Sequence, residues 1–172
     1  MDPGSCSPVQ RLFAPESVAV IGASPSPGKI GNVLFRNLAK FPGSLFPVHP
    51  TASEVLGKKA YPHISDIPDR VDLALLAIPA EGVPQAIADC ARANVGAAVI
   101  FSGGWAETGD DGIARQKELA DLAITAGLRL LGPNTSGFLS PALGLYATFV
   151  ADVPQILHPG TLAIVSQSGG VN

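Results

Sequence analysis

The 172-residue chain is 47% hydrophobic and only 15% charged, against a usual charged share of roughly a quarter, so much of its surface is uncharged or covered by another chain or by further sequence. That length supports one domain with a sizeable core plus a remnant, without staples. A net charge of -3 with scattered Lys and Arg excludes the basic face that nucleic acid requires, and the two cysteines, Cys6 and Cys90, stand in settings too unlike for a disulfide framework or a metal site. No basic region precedes an apolar stretch at the N-terminus and no apolar run approaches the ~20 residues of a membrane helix, so a cytoplasmic protein with no membrane partner is expected.

Residues 1–10 mix Pro, Gly, Ser and Asp without periodicity and predict a disordered lead-in, with folding from Arg11. Ser17 to Ile21 (S-V-A-V-I) runs straight into Gly22, the pattern of a buried parallel strand feeding a turn. Asn32 to Phe41 carries Val33, Leu34, Leu38 and Phe41 at helical spacing and stops before Pro42 and Gly43. Ser44 to Val48 predicts a second strand, Lys58 to Tyr61 a third, and Ser65 to Pro68 a helical turn. Asp72 to Ile78 (D-L-A-L-L-A-I) is almost continuously apolar and closed by Pro79, and a helix from about Glu81 to Ala93 follows.

Ala97 to Phe101 is another buried-type strand; it leads through S-G-G-W-A-E-T-G to a helix from about Asp111 to Ala126 and a short strand, Arg129 to Leu131. Strands alternating with helices of this length indicate βαβ units with right-handed crossovers, hence an α/β fold with a parallel sheet covered on both faces. The pattern weakens after Gly132, which places the first domain at residues 11–140 and a linker at 141–172. Thr161 to Val165 then predicts a fresh strand and S-Q-S-G-G a helix start, so a second α/β domain is begun and the natural protein is expected to continue.

The first candidate site is V-I-G-A-S-P-S-P-G-K-I-G-N, which offers Gly22, Ala23, Ser24, Pro25, Ser26, Pro27, Gly28, Lys29 and Gly31 between a strand and a helix. Glycines permit a tight turn and close backbone approach, and the amides and dipole of a helix start favour phosphate oxygens. Ile30 stands where a P-loop needs the Ser or Thr that holds Mg²⁺, which excludes a Walker A site. An NAD site places an acid at the end of the second strand, but here that strand ends Pro47-Val48-His49-Pro50. A ligand with phosphate on its ribose fits better, which leaves NADP and coenzyme A, with His49, Lys29, Lys58 or Lys59 available to that phosphate.

The other candidate loops follow strands, where α/β sheets bind ligands: Ile78-Pro79-Ala80, Ser102 to Glu107, Gly132 to Gly137 and Ser166 to Gly169. Trp105 is a candidate cover for an adenine or a pantetheine arm, and Glu107 a candidate orienting group or base. His63 and His158, beside prolines, read as surface residues. No catalytic constellation and no metal-ligand set can be assembled from local spacing.

Six stretches in order, L-F-A-P-E-S-V-A-V-I-G-A-S, P-V-H-P, D-L-A-L-L-A-I-P-A, S-G-G-W-A-E-T-G, L-G-P-N-T-S-G-F and A-I-V-S-Q-S-G-G, resemble the NDP-forming acyl-CoA synthetases, relatives of the succinyl-CoA synthetase α subunit. The resemblance implies a Rossmann-like coenzyme A-binding domain followed by the start of a flavodoxin-like second domain. It implies a reaction interconverting acyl-CoA, NDP and phosphate with carboxylate, CoA and NTP through a phosphohistidine. Carried over by motif, Gly22 to Gly31, Val48 to Pro50, Ile78 to Ala80 and Ser102, Gly103 and Gly104 surround the coenzyme, and Asn134 lies near its thiol and acyl group. Ser166, Ser168 and Gly169 receive the phosphohistidine phosphate. ATP or ADP and Mg belong to other synthetase domains or a β subunit, and a homo-oligomer is a further possible assembly. This chain departs from the family pattern at His49-Pro50-Thr51, where Asn-Pro and a basic residue are usual, and at Thr135. The phosphohistidine lies beyond Asn172, so this chain alone is expected to be inactive. A coenzyme A-sensing or regulatory domain of a protein acetyltransferase and an NADP-type domain are the alternatives.

Overall fold

The computed structural model describes residues 7–151, 153 and 158–167. Regular structure is already present at residues 7–10, ahead of the expected start at Arg11. Ser7 Oγ accepts from Gln10 N at 3.2 Å and Gln10 Oε1 accepts from Ser7 N at 2.8 Å. This reciprocal capping box starts helix α1 (Pro8–Phe13), so Ser7 is an ordered N-cap and residues 8–10 are helical rather than part of a disordered lead-in.

The next elements are β1 (Ser17–Ile21), α2 (Ile30–Asn37) with a tighter turn over Leu38–Lys40, and β2 (Ser44–Val48). In place of the single strand expected over Lys58 to Tyr61, β3 (Glu54–Val55) and β4 (Lys58–Lys59) form a minimal antiparallel hairpin, and Tyr61 makes one parallel bridge to Val48. The hairpin strand ends at Lys59 because Tyr61 turns to the edge of β2, donating its N–H to the Pro47 carbonyl at 3.0 Å and accepting from His49 N at 2.9 Å. The predicted helical turn is present at Ile64–Asp66. There follow β5 (Leu73–Leu76), α3 (Val83–Arg92), β6 (Ala97–Ile100), α4 (Asp110–Thr125), β7 (Arg129–Leu131), β8 (Gly137–Ser140) and β9 (Leu145–Thr148).

Five strands form one parallel sheet in the order β2-β1-β5-β6-β7. The chain runs outward from β1 to β2 and then crosses back to β5 on the other side, so the connections diverge between β1 and β5. The apolar residues of each strand split between two faces because successive side chains alternate. Val18, Val20, Leu73, Leu75 and Val99 meet Leu34 and Phe35 of α2, and Leu38 of the turn that follows it, on one face. Ala19, Ala74, Leu76, Ala98 and Ile100 meet Ile87 and Cys90 of α3 and Leu119 and Ala123 of α4 on the other. Burying a leucine of this kind contributes about 2 kcal/mol, which is why the most continuous apolar run, 73–76, takes the centre of the sheet.

The segment after residue 140, expected to lie in a linker, returns to this core. Leu145 and Ala147 of β9 are fully buried against the α2 face. Asn37 Nδ2 donates to the carbonyls of Thr148 and Val150 at 2.7 and 2.8 Å, fastening the end of β9 to α2. The predicted strand at Thr161 to Val165 is irregular here, with Leu162, Ile164 and Val165 at least 91% exposed. Among the described residues no strand lies beside it to supply ladder hydrogen bonds, and an apolar run without them does not become a strand.

Burial pushes the Cys90 thiol up to about 12 from an ordinary 9.0, with the neighbouring Asp89 charge adding to the effect. The unfolded chain releases this proton first, so the contribution of Cys90 to stability is complete below pH 9 and is lost as pH rises toward 12. Denaturant titrations at pH 8 and 10.5 are expected to show a loss of stability that is smaller in C90A, and iodoacetamide at pH 8 should leave Cys90 unmodified until the protein unfolds. An equal alkaline loss in C90A would assign the effect to other groups.

Candidate functional site

All five sheet strands end at the same edge, and the loops that leave them interlock there. At the end of β1, Gly22 takes φ +86° and donates its N–H to the Val48 carbonyl at 3.0 Å. A Cβ on Gly22 would stand 2.5 Å from the Ala77 carbonyl oxygen and 2.9 Å from Ile78 Cγ2. The ends of β1, β2 and β5 therefore meet at the point where the connections diverge, the position at which open α/β sheets form a ligand crevice.

The glycine-rich turn leaves this point and enters α2. A Cβ on Gly31 would stand 2.8 Å from the carbonyl carbon of Gly22 and closer still to its oxygen, so the first turn of α2 is pressed against the end of β1. No side chain caps α2 at Lys29, which leaves its dipole end open to an anion. Ser24 is half-buried, and Pro25, Ser26, Pro27, Gly28 and Lys29 are exposed. Ala23 and Val48 are buried in the core, so either can reach a ligand only through its backbone.

At the end of β2, His49 Nδ1 accepts from the N–H groups of Thr51 and Ala52 at 3.2 and 2.9 Å. Those bonds assign the neutral ring its proton on Nε2, which leaves a hydrogen-bond donor beside exposed Pro50. Lys59 Nζ lies 5.1 Å from the Tyr61 ring centre, and Lys58 is exposed on the same hairpin.

The loops after β5, β6 and β7 continue the rim. A Cβ on Gly104 would contact Ala80 Cβ at 3.4 Å, which joins Ile78, Pro79 and Ala80 to the loop after β6. Asn134, at φ +54°, donates its N–H to the Ser102 carbonyl at 3.1 Å. A Cβ on Gly103 would stand 2.9 Å from Glu107 Oε1 and 3.4 Å from Asn134 Oδ1, so Gly103 is the gap between these two side chains. Ser102 Oγ is buried here without a hydrogen-bond partner. Ser166 lies in the exposed irregular segment, and Ser168 and Gly169 fall outside the described residues.

Two residues that are candidates for facing a ligand make contacts within the protein. Trp105 is 2% exposed, packs in the α3–α4 core and donates Nε1–H to the Ser102 carbonyl at 2.9 Å. Its ring lies under the rim, because two apolar helices next to the loop bury more of it than an open crevice does. Glu107 Oε1 accepts from Gly104 N at 2.6 Å. Backbone N–H groups of Glu107, Gly104 and Trp105 hold its carboxyl below the usual range, so its grip on the loop is present above that range and is lost as pH falls through the lowered value. Glu107 anchors the loop, and His63 and His158 are exposed as expected. Sequence reasoning does not single out Asn32, Asn37 or Asp72; an asparagine among apolar helix residues is the available signal. Among the described residues there is no His/Cys/Asp/Glu group suited to a metal, and no helix is long and apolar enough to cross a membrane.

Residues 16–141 match the family described as the CoA binding domain. The chain belongs to this CoA-binding domain family. Over 161 residues it is 42% identical to the ADP-forming acetate–CoA ligase I of Archaeoglobus fulgidus, covering 94% of this chain and 23% of that protein. It is 38% identical to the α subunit of the ADP-forming acetate–CoA ligase II of Pyrococcus furiosus, covering 93% of this chain and 34% of that subunit. The dinucleotide-forming acetyl-coenzyme A synthetase 1 of Ca. Korarchaeum cryptofilum, solved with phosphate and ADP, superposes with a TM-score of 0.79 at 43% identity, over 82% of this chain and 30% of that one. The chain spans about a quarter to a third of the length of these relatives.

Proposed function

We propose that this chain is the coenzyme A-binding part of an ADP-forming acyl-CoA synthetase, whose whole reaction joins a carboxylate to coenzyme A with the interconversion of ATP with ADP and phosphate. The observation that carries the reading is the contact of Gly31 with Gly22 at the divergence point, which sets an uncapped helix end against the joined ends of β1, β2 and β5. Phosphate oxygens fit that end because backbone amides and the helix dipole both favour negative charge.

In this reading the turn from Gly22 to Gly31 takes coenzyme phosphates, and His49 Nε2–H, with Lys29, Lys58 and Lys59 nearby in sequence or hairpin, serves a phosphate on the ribose. Ile78, Pro79 and Ala80 and then Ser102, Gly103 and Gly104 line the pantetheine arm. Asn134 orients the reacting end, and the Ser102 hydroxyl offers it a proton donor. Coenzyme A supplies the thiol that takes the acyl group. The phosphohistidine, nucleotide and Mg belong to further domains or a β subunit, with Ser166, Ser168 and Gly169 beginning the domain that receives the histidine phosphate.

Isothermal titration of the protein with coenzyme A tests the reading. Saturable binding that weakens as salt is raised and is not displaced by NADPH is expected. No heat and an unchanged melting temperature at millimolar coenzyme A would overturn it, and displacement by NADPH would favour a dinucleotide site instead.

A further inference from the structure

Asn32, in the first turn of α2, is 1% exposed. Its Nδ2 donates to the Ser24 carbonyl at 2.9 Å, across the mouth of the glycine-rich turn, while its Oδ1 is buried without a partner. A buried acceptor left unpaired weakens a fold, so packing stability does not account for an asparagine here.

The position of its partner does. Ser24 precedes Pro25, so the peptide joining them presents a carbonyl oxygen and no N–H. Turned toward an anion, that unit can only repel it. The other bonds within the turn, Ser26 N to Ser24 Oγ at 3.1 Å and Lys29 N to Ser26 O at 3.5 Å, are local and do not hold the Ser24 oxygen. Asn32 does hold it, and from a helix that Gly31 locks against β1.

We propose that Asn32 is a positioning residue whose carboxamide keeps the Ser24 carbonyl oxygen turned away from the anion and sets the turn before the ligand arrives. The inference rests on the reading that this turn takes phosphates of coenzyme A. In N32A the affinity for coenzyme A is expected to fall about tenfold, as for loss of one hydrogen bond that organises a site. The lost part should be the salt-sensitive part, so binding to N32A depends less on ionic strength than binding to the wild type. Amide hydrogen exchange of the ligand-free variant is expected to rise at residues 23–33 and to stay unchanged in β5 and β6.

Wild-type affinity and salt dependence in N32A overturn the inference while leaving the coenzyme reading intact. A wild type that does not bind coenzyme A overturns that reading. If N32A fails to fold, N32D carries the test, because it fills the same space but its ionised carboxylate cannot donate to Ser24. Exchange at residues 23–33 in ligand-free N32D equal to that of the wild type then overturns the inference.

Discussion

Replacing Gly31 with alanine is expected to lower coenzyme A affinity by at least about a hundredfold, the scale set by a displacement of about 1 Å at a positioned site. The added methyl would stand 2.8 Å from the Gly22 carbonyl carbon and 3.1 Å from Ala23 Cα, and all of its nearest neighbours are backbone atoms. No side chain can rotate away, so α2 must retreat from the end of β1 and carry its amides with it. Overpacking of this kind costs typically about 1–3 kcal/mol of stability, small enough that the folded variant can be titrated. G28A is the control. Gly28 has positive φ, at +82°, unlike the helical Gly31, but a Cβ there meets nothing within 4 Å, so only backbone strain of about 1–2 kcal/mol is added. Titration and melting of both variants check the expectation, and wild-type binding by G31A would show that the contact with Gly22 is not what shapes the site.

Asp72→Ala is expected to produce the largest loss of stability, about 3 kcal/mol, without changing ligand affinity in the protein that remains folded. Asp72 is 7% exposed immediately before β5, at the sheet edge opposite the loops. Its Oδ2 accepts from Glu16 N at 3.0 Å, and its Oδ1 faces Arg70 at 3.1 Å and Arg11 Nε at 3.9 Å. The Arg70 side chain is 54% exposed and its share is screened by solvent. Arg11, packed against Gly96, is left without its counter-charge when the carboxylate goes. Asp72→Asn keeps an acceptor for Glu16 and removes only the charge, so its loss should be about half. Denaturant titration measures both, and a loss under about 1 kcal/mol for Asp72→Ala would show that the cluster is solvated rather than structural.

The parts of the site legible in the amino-acid sequence are those in which chemistry and position coincide in one short stretch. Gly22 to Gly31 follows an apolar run and precedes a helical one, so its place at a sheet edge is implied by its neighbours. The same holds for Ile78 to Ala80 and Ser102 to Gly104. The roles of Trp105 and Glu107 stay open from their residue types alone, because those types suit a ligand and a structural contact equally well. What assigns them is the α3–α4 core beneath the one and the Gly104 amide beside the other. The Ser7–Gln10 capping box is present in the sequence but obscured by a composition that suggests disorder.

By itself the sequence determined the α/β class, the strands and helices of the five-stranded unit between Ser17 and Leu131 and the loops that carry the candidate site, but not the β3–β4 hairpin. Those follow from periodicity and turn chemistry, which act over a few residues. Only the tertiary structure decided that β9 belongs to the first core, through the hydrogen bond from Asn37 to Thr148 across 111 positions, and that Asp72 ties Glu16 across 56. It also decided that Asn32 holds Ser24 and that Gly31 touches Gly22. These are contacts between groups whose partners are chosen by how the chain packs, and no local pattern records that choice.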